Sequence, residues 1–117
     1  MKSIKSIKEI LDNYDNYIID QWGVMHDGKY GYDHALDTIN LLYSLKKNLF
    51  IISNSSKRSK SSYDNLSNLG FKKDQFLKIL TSGEMIWQLL NEKFSSKLNK
   101  QNCLHIYDER KEDGLNF

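Results

Sequence analysis

Proline is absent from this 117-residue chain, although average usage is about 5%. Asparagine, lysine, serine and isoleucine are abundant instead. A nucleotide-biased genome produces that skew as readily as a fold does, so the absence assigns no architecture. Cysteine is nearly missing too. Cys103 stands alone, which excludes a disulfide framework and fits a reducing cytoplasm. In its apolar-flanked segment it reads first as a small buried residue, and only then as a reactive thiol. No apolar run is long enough to span a bilayer. Lys2, Lys5 and Lys8 lead into no apolar core, so no secretory signal is expected. Charge of one sign is also lacking: 17 Lys and Arg against 15 Asp and Glu leave a formal net charge of +2. That balance implies no general polyanion partner. The expectation is a soluble, cytoplasmic chain with neither membrane nor nucleic-acid partners. Its length allows one domain at most, burying about two-thirds of its unfolded surface.

What is present concentrates between Tyr17 and Gly28. The apolar run Tyr17-Ile18-Ile19 ends in Asp20, and Gly23 follows three residues later. A buried parallel strand delivers a carboxylate to the carboxyl edge of a sheet in this way, where open α/β folds place their ligands. The glycine lets the backbone turn just beyond. Asp20 is then a nucleophile, a metal ligand or a cap for the turn. A second run, Asn48-Leu49-Phe50-Ile51-Ile52-Ser53-Asn54, has the same shape. Between them, Ala35, Leu36, Ile39, Leu42, Tyr43 and Leu45 fall at helical spacing over Asp33 to Lys47. Strand, helix, strand of this length predicts a right-handed crossover between parallel strands. Asp20 and Ser53 would then share one sheet edge, where a carboxylate, a hydroxyl and fresh amides suit an anionic ligand with a metal ion.

Elsewhere the pattern is plainer. Ile4, Ile7, Ile10 and Leu11 predict a short amphipathic helix over Ile4 to Leu11, packed on the core rather than on a membrane surface. Ser55 to Ser62 reads as a polar loop entering a helix that Gly70 stops. Lys57, Arg58 and Lys60 read first as a solvated cluster and second as a contact for a substrate anion; without interleaved aromatics they do not suggest nucleic acid. Phe76 to Leu80 is a third strand candidate, and Thr81 or Ser82 caps the next helix, with Glu84 in its first turn. Trp87 on that helix reads as a packing residue before a ligand contact. Asp27 reads as a turn former beside Gly28 before a charge-placing group, and His26 as a loop or core histidine before an acid/base. Ser95 to Asn102 is a polar linker, Cys103 to Tyr107 a last strand candidate, and Asp108 to Phe117 a charged tail.

In order and spacing these segments resemble the haloacid dehalogenase-like (HAD) hydrolases, and most of all the class IIA, NagD-like branch. Asp20 stands where that family places its nucleophile. Ser53-Asn54 matches its second motif, a hydrophobic strand ending in Ser/Thr-Asn. Trp22-Gly23-Val24 with His26-Asp27-Gly28, Arg58, Asn65-Leu66 to Leu69-Gly70, and Leu80-Thr81-Ser82-Gly83-Glu84 complete the likeness, which runs from about Asp15 to Tyr107. Most members carry a second Asp two residues after the nucleophile, as general acid/base. Trp22 holds that position here and cannot transfer a proton, although a subgroup of the branch also reads Asp-x-Trp-Gly-Val. The family's Tyr-Pro-Gly-Ala helix entry is Tyr32-Asp33-His34-Ala35.

The resemblance implies the N-terminal half of a Rossmann-like parallel sheet with helices on both faces. Residues 1–94 would be a partial HAD core, and 95–117 a linker and the start of a cap domain. It implies that Asp20 attacks phosphorus in a small phosphorylated molecule. Ser53 and Asn54 would bind the phosphoryl oxygens, and the Asp20 carboxylate with the Trp22 backbone carbonyl would hold Mg2+. The family's later lysine and acidic metal motifs lie beyond Phe117. The expectation is therefore a fragment with weak or no activity alone. The alternatives are half of a split phosphatase completed by a second chain, or a non-catalytic module that binds phosphate or another anion. In the family the nucleophile strand is central, so its open edge here would be covered by a partner chain or by self-association.

Overall fold

The computed structural model describes residues 3–93 together with Leu104 and Ile106. A parallel three-stranded sheet forms the centre, in the order β1 (Asn16–Ile19), β2 (Asn48–Ser53), β3 (Lys78–Thr81). Helix α1 (Asp33–Ser44) joins β1 to β2, and α2 (Ser59–Asn68) lies between β2 and β3. Helix α3 (Ser82–Gln88) leaves β3 directly and continues as a π turn over Leu89–Lys93. The fold is α/β, and the apolar runs around Tyr17, Leu49 and Ile79 each supply a strand.

Side chains alternate across the sheet, as strand geometry requires. Tyr17, Leu49, Ile51 and Ile79 join Ala35, Ile39 and Leu42 of α1 and Leu66 of α2 in one buried cluster. Leu49 is 0% and Ile51 1% exposed, and each such burial contributes about 1.5–3 kcal/mol. Both crossover helices thus cover the same face, as right-handed connections in a 1-2-3 order dictate. The opposite face leaves Ile18 68% and Ile52 50% exposed. Of the two helical layers expected, the described residues build the one over Leu49 and Ile51.

Element ends differ from the sequence expectation for local reasons. The N-terminal helix expected over Ile4 to Leu11 is a single 3₁₀ turn, Ile7–Ile10. Ser6 starts it late, because its hydroxyl accepts the Lys8 N–H while Glu9 reaches back to the Ser6 amide. Helix α1 stops at Ser44 instead of Lys47. Lys46 turns to φ +57, and its amide and that of Lys47 return to the Tyr43 and Leu42 carbonyls at 2.9 and 3.0 Å. This is the left-handed closure that normally recruits glycine. Helix α2 ends the same way with Gly70 at φ +94, the stop read from the sequence. The last strand candidate, Cys103 to Tyr107, lies outside the described residues apart from Leu104 and Ile106.

Candidate active site

Because the strands are parallel, their carboxyl ends share one edge. Ile19 pairs with Ile51, which sets Asp20 level with Ile52, and Ser53 pairs with Thr81 across the next ladder. Asp20 and Ser53 therefore meet at one edge on adjacent strands, as the two apolar runs implied. Asp20 is exposed, and its Oδ1 accepts the Gln21 amide at 2.7 Å. That bond orients the carboxylate.

The chain then makes a tight turn. The Met25 amide donates to the Gln21 carbonyl at 2.9 Å and the Gly23 amide to the His26 carbonyl at 2.8 Å. Met25, 1% exposed, pins the turn to the core. Trp22 stays 66% exposed, its ring lying over Gly28 and edge-on to His26, with centroids 5.6 Å apart.

His26 is buried, and its Nδ1 accepts the Gly28 amide at 3.0 Å. Burial pushes its pKa down, against a weaker opposite pull from Asp27. Asp27 Oδ1 accepts the Lys29 and Tyr30 amides, each at 2.8 Å. Those bonds hold its carboxyl below the usual range. The turn-former reading of Asp27 and the core reading of His26 both match this geometry. His26 is buried, Asp27 Oδ1 is engaged by two amides, and the Trp22 side chain offers no acid/base group. Nε2 of His26 and Nε2 of Gln21 are buried without a hydrogen-bond partner.

Ser53 is also buried, its Oγ accepting the Ser55 amide at 3.2 Å, while Asn54 is exposed. The loop from Asn54 to Arg58 leans on the start of α3. Thr81 Oγ1 donates to the Lys57 carbonyl at 2.6 Å and caps α3 by accepting the Glu84 amide at 3.0 Å. The Gly83 amide donates to the Ser55 carbonyl at 3.0 Å. A Cβ on Gly83 would overlap the Ser56 carbonyl, so only glycine allows this approach. Arg58 grips Glu84 with two bonds, Nε to Oε2 at 2.7 Å and a terminal nitrogen to Oε1 at 3.0 Å. It also lies 3.7 Å above the Trp87 ring. The pair lowers the Glu84 pKa and raises that of Arg58. Arg58 is thus committed to Glu84, which removes it from the cluster offered to a substrate anion.

A cleft of about 430 Å³ runs along β1 and α1, lined by Asp20, Val24, Met25, His34 and apolar neighbours. His34, stacked on Tyr32 at 5.4 Å, had no role assigned from the sequence. Its signal was position: the first turn of α1 must start near the carboxyl edge for the crossover to return.

A family model described as haloacid dehalogenase-like hydrolase matches residues 17–115. The chain belongs to the haloacid dehalogenase-like hydrolases. A 4-nitrophenylphosphatase of Schizosaccharomyces pombe is 35% identical over 68 residues, 58% of this HAD chain and 23% of that protein. The chain therefore spans less than a quarter of that curated relative. A HAD-like hydrolase from Brucella suis superposes with TM-score 0.67 at 23% identity, over 76% of this chain and 34% of its own. A possible sugar phosphatase of the HAD superfamily from Cytophaga hutchinsonii gives 0.64 at 22% identity, over 78% and 32%. These two likenesses establish the HAD fold. Among the described residues, no helix is long and apolar enough to cross a membrane.

Proposed function

We propose that this chain supplies the nucleophile and phosphate-binding edge of a phosphohydrolase of the NagD-like branch. The observation that carries the reading is the placement of Asp20 and Ser53 at one carboxyl edge by the β1–β2 register. Asp20 attacks phosphorus through a carboxylate oxygen, the leaving group departs with the P–O bond electrons, and water later hydrolyses the aspartyl-phosphate. The Ser53 hydroxyl and the backbone amide of Asn54 hold the phosphoryl oxygens.

No cluster of three or more His, Cys, Asp or Glu side chains suited to a metal occurs among the described residues. A single carboxylate and a carbonyl are nevertheless hard oxygen donors of the kind Mg2+ takes, since that ion keeps several waters and shares the substrate phosphate. The residues fit the ion. Asp20 and the Trp22 carbonyl would hold it, and once bound it polarises a phosphoryl oxygen. We propose that further acidic and lysine side chains come from polypeptide outside the described residues, on this chain or a second one. That polypeptide, or a second copy, also covers the free edge of β1 and the face bearing Ile18 and Ile52.

The test is Mg2+-dependent hydrolysis of 4-nitrophenyl phosphate by this chain against Asp20→Asn. Turnover lost in the variant supports the reading, and equal, measurable turnover in both sinks Asp20 as nucleophile. Trp22 at the usual acid/base position and the burial of His26 favour one second reading: an edge that binds phosphate without turnover. Phosphate binding with no hydrolysis, in this chain alone and together with the polypeptide proposed to complete the site, would select it.

A further inference from the structure

The segment after β3 touches the loop after β2 at every turn, and it does so through residues that the hydrolytic reading leaves without a task. Thr81 holds the Lys57 carbonyl. Gly83 holds the Ser55 carbonyl. Ser59 Oγ donates to the Ile79 carbonyl at 2.8 Å. The Glu84 carboxylate collects three donors from the loop's far end: both Arg58 nitrogens and the Ser59 amide at 3.1 Å. A carboxylate met by a fork of guanidinium N–H groups is held in plane as well as in place. Its side chain is 15% and that of Arg58 29% exposed, so solvent competes weakly. Trp87 below Arg58 fixes the third dimension.

The loop so held is the one that carries Asn54 and follows Ser53. Two bonds within it are long, Ser55 amide to Ser53 Oγ and Lys57 amide to Ser55 Oγ, each at 3.2 Å. A short polar loop with such weak internal bonding samples many conformers unless something outside fixes it.

We infer that Glu84 is a positioning residue, which fixes the Ser53–Ser59 loop through Arg58 and the Ser59 amide so that the loop amides are pre-set for phosphoryl oxygens. This rests on the proposal that the Ser53 edge is the phosphate-binding edge. Glu84 touches no substrate; it acts through the loop, and the gain is pre-organisation of the amides rather than any added contact.

The experiment measures binding of inorganic phosphate in the presence of Mg2+ by calorimetry. Amide exchange along the loop is measured in parallel, for the chain as it stands and for Glu84→Ala, Glu84→Gln and Asp64→Ala. The expected result is an affinity loss of about tenfold or more for Glu84→Ala, with faster exchange confined to Asn54–Ser59. Glu84→Gln, which keeps the shape and one acceptor oxygen but replaces the other with an NH2 donor, recovers some of each. Asp64→Ala on α2, which breaks the exposed Lys73–Asp64 pair, leaves phosphate affinity and Asn54–Ser59 exchange alone, so removing an acidic side chain elsewhere does not mimic the effect. Phosphate bound equally by Glu84→Ala and the parent chain would overturn the inference. Should the parent chain bind no phosphate, the phosphate-edge reading fails separately, and the exchange data decide this one. Unchanged Asn54–Ser59 exchange in Glu84→Ala overturns it, and selective acceleration sustains it. If Glu84→Ala does not fold, Glu84→Gln and Arg58→Lys carry the same comparison.

Discussion

His26 Nδ1 accepts the Gly28 amide at 3.0 Å, and that single bond fixes which nitrogen of the imidazole carries hydrogen. With Nδ1 an acceptor, the neutral ring holds its proton on Nε2, inside the protein. Protonating Nδ1 would abolish the bond and place a charge in a buried site.

A pH dependence follows. The folded pKa of His26 lies below its ordinary value of 6.5, so the unfolded chain binds the proton first as pH falls. Stability is complete above about pH 6.5 and declines beneath it, until pH passes the lowered folded value. Urea unfolding at pH 7.5 and 5.5 measures this. His26→Asn keeps an acceptor for Gly28 without a titrating ring, and its difference between the two pH values is expected to be smaller. An equal pH dependence in both proteins would remove His26 as the source.

Gly83→Ala is expected to destabilise the chain by about 2 kcal/mol or more, because the new methyl meets the fixed carbonyls of Ser56 and Lys57 instead of a movable side chain. In a domain of this size that lowers Tm by roughly 8 °C or more. Thermal unfolding followed by circular dichroism reads it directly. A change within a degree or two would mean that the Ser55–Lys57 loop yields freely.

Lys46→Gly is expected to raise stability by about 0.5–1 kcal/mol. The parent lysine holds φ +57, which costs an L-residue about 1–2 kcal/mol; glycine avoids that cost but loses more backbone entropy on folding. An increase in the urea midpoint at constant slope is the signature.

Where a second copy covers the face of Ile18 and Ile52, as proposed, Ile18→Lys with Ile52→Lys is expected to leave a monomer, at little cost in stability, since both side chains already face solvent on the helix-free side of the sheet. Light scattering coupled to size exclusion compares the two. A parent chain that runs as a clean monomer would argue against a second copy on that face.

The order of strands and the shared edge of Asp20 and Ser53 were legible because they depend on local runs: an apolar stretch, a polar stop, and a helix-spaced interval between. Gly70 and the Thr81 cap were legible for the same reason, each acting within one turn of its own position. Contacts that cross the chain were not. Arg58 and Glu84 are 26 residues apart, and nothing in either neighbourhood announces the other, so Arg58 looked like one cation among three. The early end of α1 was hidden because lysine rarely takes the left-handed conformation that Lys46 adopts. The N-terminal helix was overestimated because apolar spacing was weighed ahead of the Ser6–Glu9 capping pair, which begins the turn three residues after Ile4.

The strand order 1-2-3 also bears on how the chain assembles as it leaves a ribosome. Every strand pairs with the one synthesised just before it, and each crossover helix emerges between its two strands. Neither the β1–β2 nor the β2–β3 ladder must wait for a distant partner before it forms. Short sequence separation of contacts favours rapid formation, and domains form as units while synthesis proceeds. The nascent segment can therefore stand folded up to Thr81, with Asp20 and Ser53 already at their common edge, before the residues that follow are translated.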